Sequence, residues 1–200
     1  IGSPSLGRQV MASVGMVILN KAAGGYSDAA IAAMTIANRV GMLVYSTIIG
    51  FGQGFQPVVG YNFGAGRLDR VKKAYWFSTA AGTVYMAVAA VAIALAAPTI
   101  VTWFRADDAE VIRLGSLTMR YHASVWVLQA MVIITNMLYQ ATGHAGPALV
   151  MSMARQGIFF IPAVLILNAV MGLDGILMAQ AVADLFAFLL ALVFMIRYLK

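Results

Sequence analysis

The 200-residue chain is 62% hydrophobic and only 10% charged, with a mean hydropathy of +0.88. Soluble domains run at roughly a quarter charged because water must solvate their outside, so this composition excludes an ordinary soluble globule and calls for a lipid-facing surface. The formal net charge is +6, yet the basic residues form no stripe and sit between long apolar runs, which reads as membrane topology and excludes nucleic acid as a partner. No cysteine is present, so disulfides, thiolate metal sites and catalytic thiols are excluded as well.

The chain begins with Ile1, without a basic n-region or a small-residue cleavage site, and is expected to be a piece of a longer protein. A bilayer core about 30 Å thick requires about 20 apolar helical residues. Six segments meet that length in chain order: 5–23, 29–61, 73–104, 110–141, 147–171 and 175–198. The uncharged run 121–154 is too long for a barrel strand and lacks its alternation. Gly24-Gly25 ends the first segment, and Asp28 is the expected cap of the second. Gly64-Ala65-Gly66 leads into a basic loop over 67–73, and Arg105-Ala106-Asp107-Asp108 breaks the chain before the fourth segment. Residues 143–146 with Pro147, and then Gly172-Leu173-Asp174-Gly175, separate the last three. The second to fourth segments exceed the bilayer thickness, and Pro57 and Pro98 offer places to bend.

An even number of crossings puts both ends on one side. That side collects Arg8, Arg67, Arg70, Lys72, Lys73, Arg197 and Lys200, whereas Lys21, Arg105 and Arg113 stand opposite among Asp28, Asp107, Asp108, Glu110 and Asp174. Basic residues mark the cytoplasmic face, so both termini are expected in the cytoplasm. Tyr75, Trp76 and Tyr198 at one end, and Tyr26 and Trp103 at the other, fit interfacial aromatic belts. The expected fold is therefore all-α and integral to the membrane, a single six-helix bundle over residues 1–200.

Polar side chains within such spans face protein or a wet cavity. In the fourth, Thr118, His122, Gln129, Asn136 and Gln140 fall within about 40° of one another at 100° per residue. That stripe serves either interhelical hydrogen bonding or the lining of a solute cavity. Arg113 and Arg120 lie on the opposite face, where Arg120 is expected to snorkel outward or to pair with an acid. The second span carries Asn38, Tyr45, Gly52 and Gln56 on one side, with Arg39 deep in the membrane. A buried guanidinium needs a partner, and Asp184 in the sixth span is the acid at matching depth. Arg39–Asp184 is thus the expected pair, either a structural ion pair or a site where Asp184 exchanges a proton or sodium ion. His122 has no second ligand at metal spacing, so no metal site is expected, and no catalytic or cofactor motif appears. The 13 methionines fill space or suit a surface that accepts varied apolar ligands.

The run Gly50-Phe51-Gly52-Gln53-Gly54-Phe55-Gln56-Pro57-Val58-Val59-Gly60-Tyr61-Asn62-Phe63-Gly64-Ala65-Gly66 closely resembles the end of the eighth transmembrane helix in multidrug and toxic compound extrusion (MATE) transporters. Pro4-Ser5-Leu6 with Arg8-Gln9 resembles the opening of that family's seventh helix. Ala141-Thr142-Gly143 with Pro147 resembles the break after its tenth, and Ala183-Asp184 an acid position in its twelfth. The resemblance implies one lobe of a twelve-helix antiporter, helices seven to twelve, whose N-terminal six-helix lobe is missing from this chain. It further implies export of organic cations or amphipathic drugs across a plasma membrane, the bacterial inner membrane, in exchange for H+ or Na+. Some members carry a carboxylate midway along the seventh helix, where this chain has Met11-Ala12-Ser13-Val14. Coupling would then fall to Asp184 or to acids in the absent half. Two other readings stand beside this one: a lipid-linked oligosaccharide flippase, which should carry several inward Arg or Lys, and an intramembrane enzyme using His122 and Asp184.

Overall fold

The computed structural model describes residues 3–199, with side chains over 9–198, and all the regular secondary structure there is helical. Arg8 and Lys200, two of the basic residues used for orientation, therefore have side chains outside the described residues. Six helices follow one another: α1 (Ser3–Gly24), α2 (Asp28–Gly64), α3 (Leu68–Phe104), α4 (Ala109–Ala141), α5 (Ala145–Met171) and α6 (Leu173–Leu199). The connections are only a few residues long, so successive helices run antiparallel. Five of the six are long and apolar enough to cross a bilayer among the described residues. The exception is α1, whose 22 residues include Gln9, Ser13, Asn20 and Lys21.

Local chemistry fixes the helix ends. Ser27, rather than Asp28, caps α2, its hydroxyl accepting the Ala30 N–H at 3.1 Å; Asp28 is already the first helical residue. Asp108 caps α4 and accepts from the N–H groups of Glu110 and Val111 at 3.1 Å each. The expected basic loop 67–73 is mostly helix, because α3 starts at Leu68 and sets Arg70, Lys72 and Lys73 on its first turns. Here the apolar register of α3 extends past the charges instead of stopping at them.

The helices pack around α4. One apolar cluster joins Leu19 and Ala23 of α1 to Ala30 and Ala33 of α2, Phe160 of α5, and Ile176 and Leu177 of α6. A second, at the opposite end, joins Phe55, Val59, Tyr75, Ile134, Leu138 and Met195. Gly52 of α2 faces α4, where an added Cβ would stand 2.1 Å from the Met137 sulfur and oblige that side chain to move. Within the same glycine-rich run Gly50 and Gly54 meet nothing within 4 Å and lie on the exposed face of α2. Only part of that run therefore serves packing inside the bundle.

One aromatic assignment changes. Tyr75 is wholly buried, its hydroxyl 2.9 Å from Thr135 Oγ1, and is a core residue of the bundle instead of a belt residue. Trp76, Trp103 and Tyr26 are exposed, as interfacial side chains are. Pro98 lies inside α3 and supplies no N–H to the carbonyl of Ala94, four residues earlier. Arg120 fills that place, donating from Nε to the Ala94 carbonyl at 3.4 Å, so its partner is a backbone oxygen and not an acid.

Candidate functional site within the helix bundle

The polar side chains of the bundle gather in two groups along the inner face of α4. The deeper one centres on Asp184 of α6, which is 0% exposed. Its carboxylate accepts from Arg155 Nε at 2.7 Å, Gln180 Nε2 at 2.9 Å and the Tyr45 hydroxyl at 3.3 Å. Gln129 of α4, also fully buried, donates to the main-chain carbonyl of the same residue at 3.2 Å. The Arg155 guanidinium lies over the Tyr45 ring, 4.1 Å from its centroid, and Trp126 meets that ring edge-on at 5.9 Å. Three helices thus hold one carboxylate, α2, α5 and its own α6, while α4 holds the backbone of the same residue.

The second group lies toward the basic end of the bundle. Asn136 donates to the Ala148 carbonyl at 2.9 Å and to Ser152 Oγ at 3.1 Å, tying α4 to α5. Gln140 donates to Asn136 and accepts from Gln56 of α2 at 3.4 Å. Thr118 spends its hydroxyl on the Leu114 carbonyl of its own helix. Much of the α4 stripe therefore binds helices together. Three atoms on its inner face stay without a hydrogen-bond partner among the described residues: His122 Nε2, Trp126 Nε1 and Gln129 Oε1.

The expected Arg39–Asp184 pair does not form. Asp184 is joined to Arg155, while Arg39 is on the exposed face of α2. Arg155 is the residue that sequence reasoning passed over, although it is the lone charge inside the fifth apolar segment, a signal available in the residues themselves. What no periodicity could reveal is the π turn over Ala154–Ile158, closed by the Phe159 N–H on the Ala154 carbonyl at 2.9 Å. A π turn holds one residue more than an α turn and so changes which side chains face inward. Asn38 is half-buried on α2, with no side-chain bond recorded to the cluster. A separate open cavity of about 410 Å³, lined by Pro98, Ile112, Arg113, Ser116, Leu117 and Arg120, lies on the other side of α4 from the stripe. Among the described residues no group of three or more His, Cys, Asp or Glu could hold a metal ion.

Long apolar helices with polar and charged groups sealed between them define a multi-pass membrane protein. The sequence profile of the MatE family matches residues 4–166, and the chain belongs to that family. Over 184 residues it is 26% identical to the multidrug export protein MepA of Staphylococcus haemolyticus, covering 92% of this chain and 40% of that protein. It is also similar to a MATE structure in the straight conformation, with a TM-score of 0.91, 21% identity and coverage of 98% of this chain and 45% of the other. A MOP superfamily transporter from Pyrococcus furiosus gives a TM-score of 0.89 at 22% identity, over 98% of this chain and 45% of that one. These structural likenesses speak to the fold alone. The chain spans less than half the length of the relatives it matches. It is a transporter-family protein of the bacterial plasma membrane, which sets aside the enzyme reading of His122 and Asp184.

Proposed function

We propose that this chain is the C-terminal lobe of a multidrug exporter that moves organic cations or amphipathic drugs outward in exchange for H+ or Na+ by alternating access. The observation that carries the reading is the match of the MatE family profile to residues 4–166, most of the chain. The named activity of the staphylococcal relatives supports drug export.

The second lobe would pack against the exposed face of α2. Arg39, Ser46, Gly50, Gln53 and Pro57 share that face at 100° per residue. A guanidinium, a hydroxyl and an amide are costly against lipid tails, so protein or a wet cleft is the neighbour this face suits. Asn38, Tyr45 and Gln56 flank the same helix, and His122, Gln129, Asn136 and Gln140 stand behind it on α4. Asp184 is the coupling carboxylate in this reading. Arg155 is already neutralised by Asp184, which leaves little positive charge for an anionic headgroup and favours drug export over a lipid-linked oligosaccharide flippase.

The test uses the full-length protein in drug-sensitive cells. Expression should lower ethidium accumulation, and Asp184→Asn should abolish that effect at normal membrane abundance. Unchanged efflux by Asp184→Asn would reduce the carboxylate to a structural role. No efflux of any cation by the wild-type protein would remove the transport reading.

A further inference from the structure

We infer that Tyr45 and Asp184 form a recognition box for a planar organic cation, and that Arg155 is its built-in competing occupant. The inference rests on the transport reading above and names how this lobe would take hold of a substrate. A carboxylate beside an aromatic face is the pair of groups that a delocalised monocation seeks, through charge and through the ring quadrupole. Here both are already engaged by a planar cation of the chain itself: Arg155 donates to Asp184 at 2.7 Å while its guanidinium lies 4.1 Å from the Tyr45 centroid.

Three features distinguish this arrangement from a pair that only fixes helix register. The contact is a single hydrogen bond from Nε, whereas Arg113 grips Glu110 with two, at 2.8 and 3.1 Å. Two-pronged binding is the geometry that arginine uses to hold a carboxylate firmly. Second, Asp184 is 0% exposed while the Arg155 side chain is 18% exposed, so of the two partners only Arg155 reaches the surface of the lobe. Third, Gln180 at 2.9 Å and the Tyr45 hydroxyl at 3.3 Å would still hold the carboxylate once Arg155 left. The box would survive the loss of its occupant. Arg155 also stands on the π turn, a departure from α geometry that is frequent at functional sites.

Purified full-length protein in lipid nanodiscs, titrated with ethidium and followed by fluorescence anisotropy, tests this. Arg155→Gln should bind ethidium about tenfold more tightly than wild type, because the competitor of the ring and the carboxylate is gone. Adding Asp184→Asn to that variant should return binding to the wild-type level or below. Should Arg155→Gln fail to stay monodisperse, Arg155→Lys provides the same reading with the charge retained. Its ammonium cannot lie flat on Tyr45, and it should bind ethidium about threefold more tightly. Wild-type or weaker affinity in the folded variant overturns the inference. Efflux by wild type with unchanged binding in the variants overturns this inference alone, whereas a wild-type protein that neither binds nor exports ethidium overturns the transport reading together with it.

Discussion

Gln129 donates its side-chain amide to the main-chain carbonyl of Asp184 at 3.2 Å, so α4 holds the backbone of the residue whose carboxylate α2 and α5 hold. This bond lies entirely within the core. Replacing Gln129 by Leu keeps the volume and deletes the donor, and should lower stability by about 1 kcal/mol, within the range for interhelical hydrogen bonds in membranes. Thermal unfolding of the full-length protein in detergent checks this, with Leu expected to melt earlier than wild type.

The ion pair behind it makes a sharper prediction. Asp184→Leu leaves the Arg155 charge without its partner, and Arg155→Met does the reverse; each should destabilise by about 3–5 kcal/mol. The double variant carries neither charge and should recover most of that loss. Equal destabilisation by the double variant and the sum of the singles would mean that the two side chains act independently.

The α5–α6 hairpin sets a steric test. A Cβ at Gly175 would stand 2.1 Å from the Leu167 carbonyl oxygen, a backbone atom that cannot swing aside. Gly175→Ala should cost about 1–3 kcal/mol through forced displacement and lower the yield of monodisperse protein. Gly50→Ala, where nothing lies within 4 Å, should leave the packing of this lobe unchanged.

Orientation can be read by labelling, since the chain has no cysteine. In a cysteine-free full-length background, a cysteine introduced at Ala65 should react only with reagents that enter the cytoplasm. One at Asp107 should react with impermeant reagents added outside. The reverse pattern would invert the assignment made from Arg67, Arg70, Lys72 and Lys73.

The fold was largely legible because its signals are long-range in composition and short-range in sequence. Apolar length gave the helices, and turn residues such as Gly64-Ala65-Gly66 gave their ends to within a few positions. The glycine-rich run pointed to the family that the MatE profile identifies. The partner of Asp184 was not legible. Depth along a helix can be counted from its cap, which made Arg39 and Asp184 look matched, but which face each residue turns to its neighbours depends on helix packing. Arg39 turns outward on α2, and the π turn rotates α5 so that Arg155 takes its place. Tyr75 was misplaced for a related reason: a tyrosine near a helix end suits a headgroup layer equally well as a buried bond to Thr135, and only the arrival of α4 decides.

The widened turn at Ala154–Ile158 also makes the length of α5 a form of specification. One surplus residue carries everything beyond it about 100° around the helix axis. Excising a single residue there would leave composition and hydropathy nearly untouched, yet it would rotate Phe160, Ala163 and Val164 away from the cluster they now fill beside α1 and α6. Alignments of α5 with distant relatives should therefore be read with a one-position gap allowed at this place, because residues that share a column without it need not share a neighbour.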